Sequence, residues 1–152
     1  MPSSARSVSE VEITIREVSP DDAEALIPIL AELSSAAAAL DLETVRERMQ
    51  DGRVLVLGGF LDGRLVGTAT LTLLVTVTEG LIGHVEDVVV TAAARGSGLG
   101  RRLMEALHEE AQRLGVRKLE LTSRPSREAA NNLYRSLGYV RRETNVYRLM
   151  LD

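Results

Sequence analysis

Apolar positions recur with two periods along this chain, and the switches between them mark its elements. From Val11 to Val18 they alternate, with Val11, Ile13 and Ile15 on one side and Glu12, Thr14 and Arg16 on the other, as in a half-buried strand. Ser19-Pro20-Asp21-Asp22 then reads as a helix start, with a capping serine, proline in the first turn and acids beside the positive end of the dipole. Leu26, Ile27, Leu30 and Leu33 supply the apolar face that follows, and Pro28 inside it predicts a kink or interruption. Asp41 can cap a second helix running to about Gln50, closed by Asp51-Gly52. Residues 53–61 and 65–76 predict two strands joined by a hairpin turn at Asp62-Gly63.

The stretch from His84 to Leu114 organises the rest. A Val-rich run over 84–91 predicts a buried strand. Leu99, Leu103, Leu107, Ala111 and Leu114 predict an amphipathic helix over 98–114, stopped by Gly115. Between the two lie Arg95, Gly96, Gly98 and Gly100. The first N–H groups of a helix have no partner inside it, and the helix dipole makes them attractive to phosphate. A strand, a glycine-rich turn and a helix start therefore predict a diphosphate cradle. A strand over 117–122, a helix over 126–137 ended by Gly138, and a last pair of strands at 139–142 and 145–151 complete the chain. The order β-α-α-β-β-β-α-β-α-β-β describes a mixed α+β sheet protein, with a single domain over residues 10–152 behind a loose tail over 1–9.

Composition narrows the chemistry. The 152 residues contain no cysteine, which excludes a thiol nucleophile, disulfides and a cysteine-built zinc site. Two histidines point to no metal, and 3% aromatic residues argue against stacking of single-stranded nucleic acid. The net charge of −4 is uneven. Residues 1–60 carry 5 basic and 11 acidic side chains, and residues 61–152 carry 13 and 11. The basic surplus falls in the half with the glycine turn, which suits a small polyanion better than a nucleic-acid backbone. The polar start MPSSARSVS and the lack of a run of about 20 apolar residues predict a cytoplasmic protein with no membrane partner.

Three phosphate-binding patterns compete at the turn. A Walker loop requires Gly-Lys-Ser/Thr, which is absent. A dinucleotide fingerprint requires G-x-G-x-x-G directly after the strand, with an acid such as Glu120 further on; the spacing here is G-x-G-x-G, displaced by five residues. The third pattern is R-x-x-G-x-G, formed by Arg95-Gly96-Ser97-Gly98-Leu99-Gly100. With its flanking strand and helix it resembles the acetyl-CoA signature of the GCN5-related N-acetyltransferases (GNAT). Asn131-Asn132-Leu133-Tyr134-Arg135-Ser136-Leu137-Gly138-Tyr139 resembles the family's second signature, and the likeness spans residues 11–151.

The resemblance implies a GNAT-like acyl-CoA N-acyltransferase fold, with about seven strands, about four helices and a splay between the fourth and fifth strands. It implies acetyl-CoA as cosubstrate. The pyrophosphate would rest on backbone N–H groups of Gly96, Ser97, Gly98, Leu99, Gly100 and Arg101, and the pantetheine arm would pair with Val88, Val89 and Val90 like an added strand. It also implies direct transfer of acetyl to an amine, with Tyr134 as the acid for the departing thiolate. Glu86 is the candidate base, two residues before Val88 and so on its face of the strand; Asp87 would face away unless a bulge intervenes. Many members place Asn where this chain has Arg127, so Asn131 or Ser126 is expected to take over the contact to the arm.

Gly83-His84-Val85-Glu86-Asp87-Val88-Val89-Val90 resembles the central strand of glucosamine-phosphate N-acetyltransferases. The expected acceptor wall, residues 19–52, contains Glu32, Asp41, Glu43 and Glu47, a charge that favours a cationic amine or peptide N-terminus over a phosphorylated sugar. A non-catalytic CoA-binding sensor is the alternative function. The alternating Thr144 to Met150 predicts an edge through which two copies could form a homodimer.

Overall fold

The computed structural model describes residues 11–152; the expected tail lies outside the described residues. By their contacts these divide into two compact units, one up to Leu121 and one over Thr122–Asp152.

The first unit is a five-stranded sheet in the order β1-β2-β3-β4-β5. β1 is Ile13–Glu17, β2 Val54–Leu61, β3 Arg64–Thr76, β4 Gly80–Val90 and β5 Leu119–Glu120. The first four are antiparallel neighbours, and β5 lies parallel to β4. The predicted hairpin forms between β2 and β3, with φ of +48° at Asp62 and +80° at Gly63. α1 (Ala23–Leu33) follows a single 3-10 turn at Pro20–Asp22, and the Ser19 N–H donates to the Asp22 carboxylate at 3.0 Å. α2 (Leu42–Met49) starts at Asp41, whose carboxylate accepts from the Thr44 N–H at 3.1 Å. α3 is Leu99–Arg113.

α1 runs without a break through Pro28, contrary to the interruption expected there. Burial of Ala23, Leu26 and Ile29 on both sides of the proline offsets its cost of about 3 kcal/mol.

The helices cover opposite faces of the sheet. Val18, Ala23, Leu26, Val45 and Val56 form one apolar cluster, in which α1 and α2 meet the sheet. α3 covers the other face with Leu99, Leu103, Met104 and Leu107, each at most 1% exposed. It can come close because the cross-strand pair Gly59 and Gly67 lies beneath it. A Cβ at Gly59 would lie 2.8 Å from Leu99, and one at Gly67 3.2 Å from Leu103. The glycine pair thus seats the start of α3 against the sheet.

The second unit contains α4 (Glu128–Ser136), closed by Gly138 at φ +96° with the Gly138 N–H donating to the Arg135 carbonyl. Two expectations fail in the last third of the chain. The strand expected over 117–122 shrinks to Leu119–Glu120, which pairs only with Gly83 and His84. The strand pair expected over 139–151 is absent among the described residues. An alternating sequence becomes a strand only where a neighbour takes up its N–H and C=O groups. No such ladder engages this segment, and Val146, Tyr147, Leu149, Met150 and Leu151 are at least 75% exposed. The mixed α+β class holds, with five strands in place of about seven.

Candidate active site

The glycine turn is built from backbone. After β4 the chain makes a 3-10 turn at Ala92–Ala94, tied to α1 by the Ala92 N–H donating to the Glu32 carboxylate at 3.2 Å. Gly96 and Gly98 have φ of +81° and +80°, which a side chain at either position would strain. The Ser97 hydroxyl donates to the Ala94 carbonyl at 2.6 Å and fixes the turn between them. The peptide N–H groups of Gly96, Gly98 and Gly100 donate to no acceptor among the described residues. They precede or open a 15-residue helix, whose dipole adds to their pull on an anion. Arg95 lies beside them, although its Nε donates to the Val90 carbonyl at 3.3 Å. Glu120, the acid a dinucleotide site would use, is instead 3.3 Å from Lys118 in an ion pair.

β4 leads into this turn with an open side. Its ladder to β5 covers only Gly83 and His84, and among the described residues no other strand is laddered to that edge. This is the expected splay, and Val88, Val89 and Val90 lie along it, Val88 with an interaction of its own.

A bulge in β4 alters the expected facing of the two acids. Thr70 pairs with Glu86, but Thr68 pairs with Val89, so Asp87 and Val88 together oppose Ala69. Cross-strand partners share a face. Glu86 therefore shares its face with Val89, not Val88, which corrects the simple alternation. Asp87 sits at the bulge with φ +51°. The extra residue brings two consecutive carboxylates toward the α1–α2 side of the sheet, where strict alternation would separate them. Glu86 and His84 line a cavity of about 340 Å³ with Thr72, Asp51 and Arg53. Asp87 lines a second, of about 300 Å³, with residues of α1, the following 3-10 turn and Arg48 of α2. Although the residue is exposed overall, partial burial raises the Asp87 carboxyl above its ordinary range by desolvation.

The acidic wall expected from residues 19–52 is largely occupied. Glu32 accepts from Ala92, Asp41 caps α2, and Glu43 is 2.7 Å from Arg46. In the larger cavity Arg53 is held in a two-pronged pair with Asp51, at 3.0 and 2.7 Å. This local pairing leaves less charge to draw in a cation than the sequence suggests.

In the second unit Tyr134 is 5% exposed and meets Tyr139 edge to face, ring centres 5.9 Å apart. Burial raises the Tyr134 phenol above 10, and the Arg127 guanidinium beside it pulls partly back. The phenol therefore holds its proton at neutral pH. Asn131 donates from its side chain to the Arg124 carbonyl at 3.0 Å. Sequence reasoning did not single out Arg48, Arg53 or the glycine pair under α3. It also missed Arg127 as a partner of Tyr134, although the two lie seven residues apart, about two helical turns. Among the described residues there is no cluster of metal-binding side chains and no helix long and apolar enough to cross a membrane.

Residues 23–139 match the model of the acetyltransferase (GNAT) family. The glucosamine 6-phosphate N-acetyltransferase of Trypanosoma brucei brucei is 29% identical over 135 residues, covering 85% of this chain and 90% of that protein. Glucosamine 6-phosphate N-acetyltransferase 1 of rice (Oryza sativa subsp. japonica) is 45% identical over 67 residues, 44% of this chain and 38% of the rice protein. The match thus spans little more than a third of that rice relative. The crystal structure of a Trypanosoma brucei acetyltransferase superposes with a TM-score of 0.78 at 28% identity, covering 92% of this chain and all of the other. With a family match across most of its length and the fold to go with it, the chain belongs to the acetyltransferase (GNAT) family.

Proposed function

We propose that the protein is a cytoplasmic N-acetyltransferase, a single domain over residues 10–152. It moves the acetyl group of acetyl-CoA to a primary amine of a small molecule or peptide. The observation that carries this reading is the open edge of β4 running directly into the unfilled N–H groups of the glycine turn. An extended amide-bearing arm can pair with the former while its diphosphate sits on the latter. Val88, Val89 and Val90 receive the arm, and Gly96 to Arg101, with Arg95 alongside, hold the diphosphate. Asn131 completes the contact to the arm.

Transfer is direct. The amine nitrogen attacks the thioester carbonyl, the N–C bond forms and the C–S bond breaks. Glu86 takes the proton the nitrogen loses, and Tyr134 gives its phenolic proton to the departing sulfur. No enzyme-bound acetyl group is required, in keeping with a chain that lacks cysteine.

Incubation with acetyl-CoA and a broad amine panel, read by CoA release and product mass, tests the reading. An acetylated product with saturable kinetics supports it. Tight acetyl-CoA binding without transfer to any amine would replace it with a CoA-binding sensor. Glucosamine 6-phosphate belongs in the panel because the trypanosome relative, aligned over 90% of its length, is named for that acceptor. Light scattering at micromolar concentration tests the homodimer expected through residues 144–150, which form no strand edge among the described residues; a monomer would remove it.

A further inference from the structure

The smaller cavity beside the β4 bulge has an unusual set of walls. Leu30, Leu33, Ala37 and Leu40 make it mostly apolar, and two opposite charges, Asp87 and Arg48, stand at its lining. These charges do not pair with each other. No ion pair engages either among the described residues, and neither side chain has a hydrogen bond there. Asp87 also keeps a φ of +51°, which costs a non-glycine residue free energy. The other non-glycine residue with positive φ among the described residues, Asp62, has a local reason: its carboxylate accepts from the Glu12 N–H at 2.9 Å. Asp87 has no such bond to explain it.

Resting on the acetyltransferase reading, we propose that this cavity is the acceptor subsite. The acceptor it selects is an α-amino acid with an aliphatic side chain. Asp87 receives the ammonium group on arrival, Arg48 takes the carboxylate, and the leucine and alanine walls bury the side chain. Asp87 then leaves the nitrogen beside Glu86, its neighbour in the bulge: the ammonium first gives one proton to water, so that the free amine attacks, and Glu86 takes the second as the N–C bond forms.

Size supports the match. A sphere of about 300 Å³ is about 8 Å across, close to two hydrogen-bond lengths plus the charged head of one amino acid. Apolar pockets with a few placed polar groups are the usual form of small-molecule sites. A sugar phosphate fits these walls less well, since beyond Ser34, Arg48 and Asp87 its hydroxyls would lose water against leucine and alanine without gaining a partner.

The test compares L-leucine with leucinamide, leucylglycine, glucosamine and glucosamine 6-phosphate as acceptors, with wild type, Arg48→Ala, Arg48→Lys and Asp87→Asn. Leucine should show a KM about tenfold below that of leucinamide or leucylglycine, the worth of one charge-assisted hydrogen bond. Arg48→Ala should erase that difference by raising only the leucine KM, and Arg48→Lys should restore part of it. Asp87→Asn should raise the KM of all three leucine compounds. Equal KM values for leucine and leucinamide, an equal rise for both in Arg48→Ala, or a preference for glucosamine 6-phosphate would overturn the subsite and leave the transferase intact. Calorimetry of leucine against CoA-loaded protein separates the two claims. Heat with wild type and none with Arg48→Ala supports the subsite even where no amine is acetylated. No heat together with no turnover overturns it.

Discussion

Gly98 and Asp87 both place the backbone in the left-handed region, at φ +80° and +51°, on either side of the same proposed reaction. At Gly98 the residue is the one that tolerates this conformation, and what the turn offers is peptide N–H groups. At Asp87 the residue is one that resists it, and what the bulge offers is a side chain. The cofactor end is thus made of backbone with the side chains removed. The acceptor end is made of side chains whose placement costs backbone strain. A cradle for an invariant diphosphate can be built from main chain alone, whereas selection among amines needs specific groups, and these are carried at some cost in stability.

The sharpest way to break the comparison is at the cofactor end. Gly98→Val puts a β-branched side chain at φ +80° and turns the peptide away from the diphosphate. Acetyl-CoA affinity should fall by about 100-fold or more, read by calorimetry, because several charge-assisted hydrogen bonds of about 1.5–3 kcal/mol act together there. Affinity within a few-fold of wild type would show that backbone N–H groups do not carry the ligand.

Next in size is the proton at Tyr134. Tyr134→Phe should lower kcat by about 10²–10⁴-fold with little change in acetyl-CoA affinity, since the role is confined to the leaving sulfur. Burial holds this phenol above its ordinary 10, so wild-type kcat should fall only once the pH passes 10. Below that the phenol is protonated and competent. A high-pH limb well below 10 that vanishes in Tyr134→Phe would contradict the direction of the shift. Glu86→Gln should lower kcat by a smaller factor, about 10²-fold, because water can accept the amine proton in its place. Unchanged turnover would move the base elsewhere in the cavity.

What the sequence made legible divides along the same line. The glycine turn was legible because glycine spacing and a helix start are local signals, and Gly96 and Gly98 sit at positive φ where that spacing puts them. The helical face of α3 was legible from its period, missing only Met104. The facing of Glu86 was not. A bulge depends on how β3 registers against β4, and no local pattern in VEDVVV marks Asp87 as the extra residue. The acidic wall was misjudged for a related reason. Composition counts Glu32, Asp41 and Glu43, but only the fold shows that each is already engaged with Ala92, Thr44 or Arg46. Strands at 139–151 were expected from alternation alone, which describes a residue's preference and not whether a neighbouring strand exists. Gly59 and Gly67 were passed over because their role, close approach by Leu99 and Leu103, joins residues about 40 apart.

The smallest expected effect asks whether the strain at Asp87 is held for the acceptor. Asp87→Gly keeps the bulge conformation open to the backbone and removes both the steric cost of φ +51° and a partly desolvated carboxylate. Against this stands the greater freedom of glycine in the unfolded chain, worth about 0.5–1 kcal/mol. The balance should favour the variant by about 0.5–1 kcal/mol, a rise of roughly 1–4 °C in Tm by calorimetry. The gain should also depend on pH in a definite sense. Because the Asp87 carboxyl titrates higher in the folded state than in the unfolded one, the folded form binds the proton more tightly. Wild type therefore loses stability as pH rises through the unfolded and then the folded value, and keeps that loss at neutral pH. The glycine variant escapes it, so its advantage should be larger at pH 7 than at pH 3. A variant that is less stable than wild type at pH 7 would mean that the side chain supports the fold. Asp87 would then be a structural residue like Asp62, and the contrast with Gly98 would disappear.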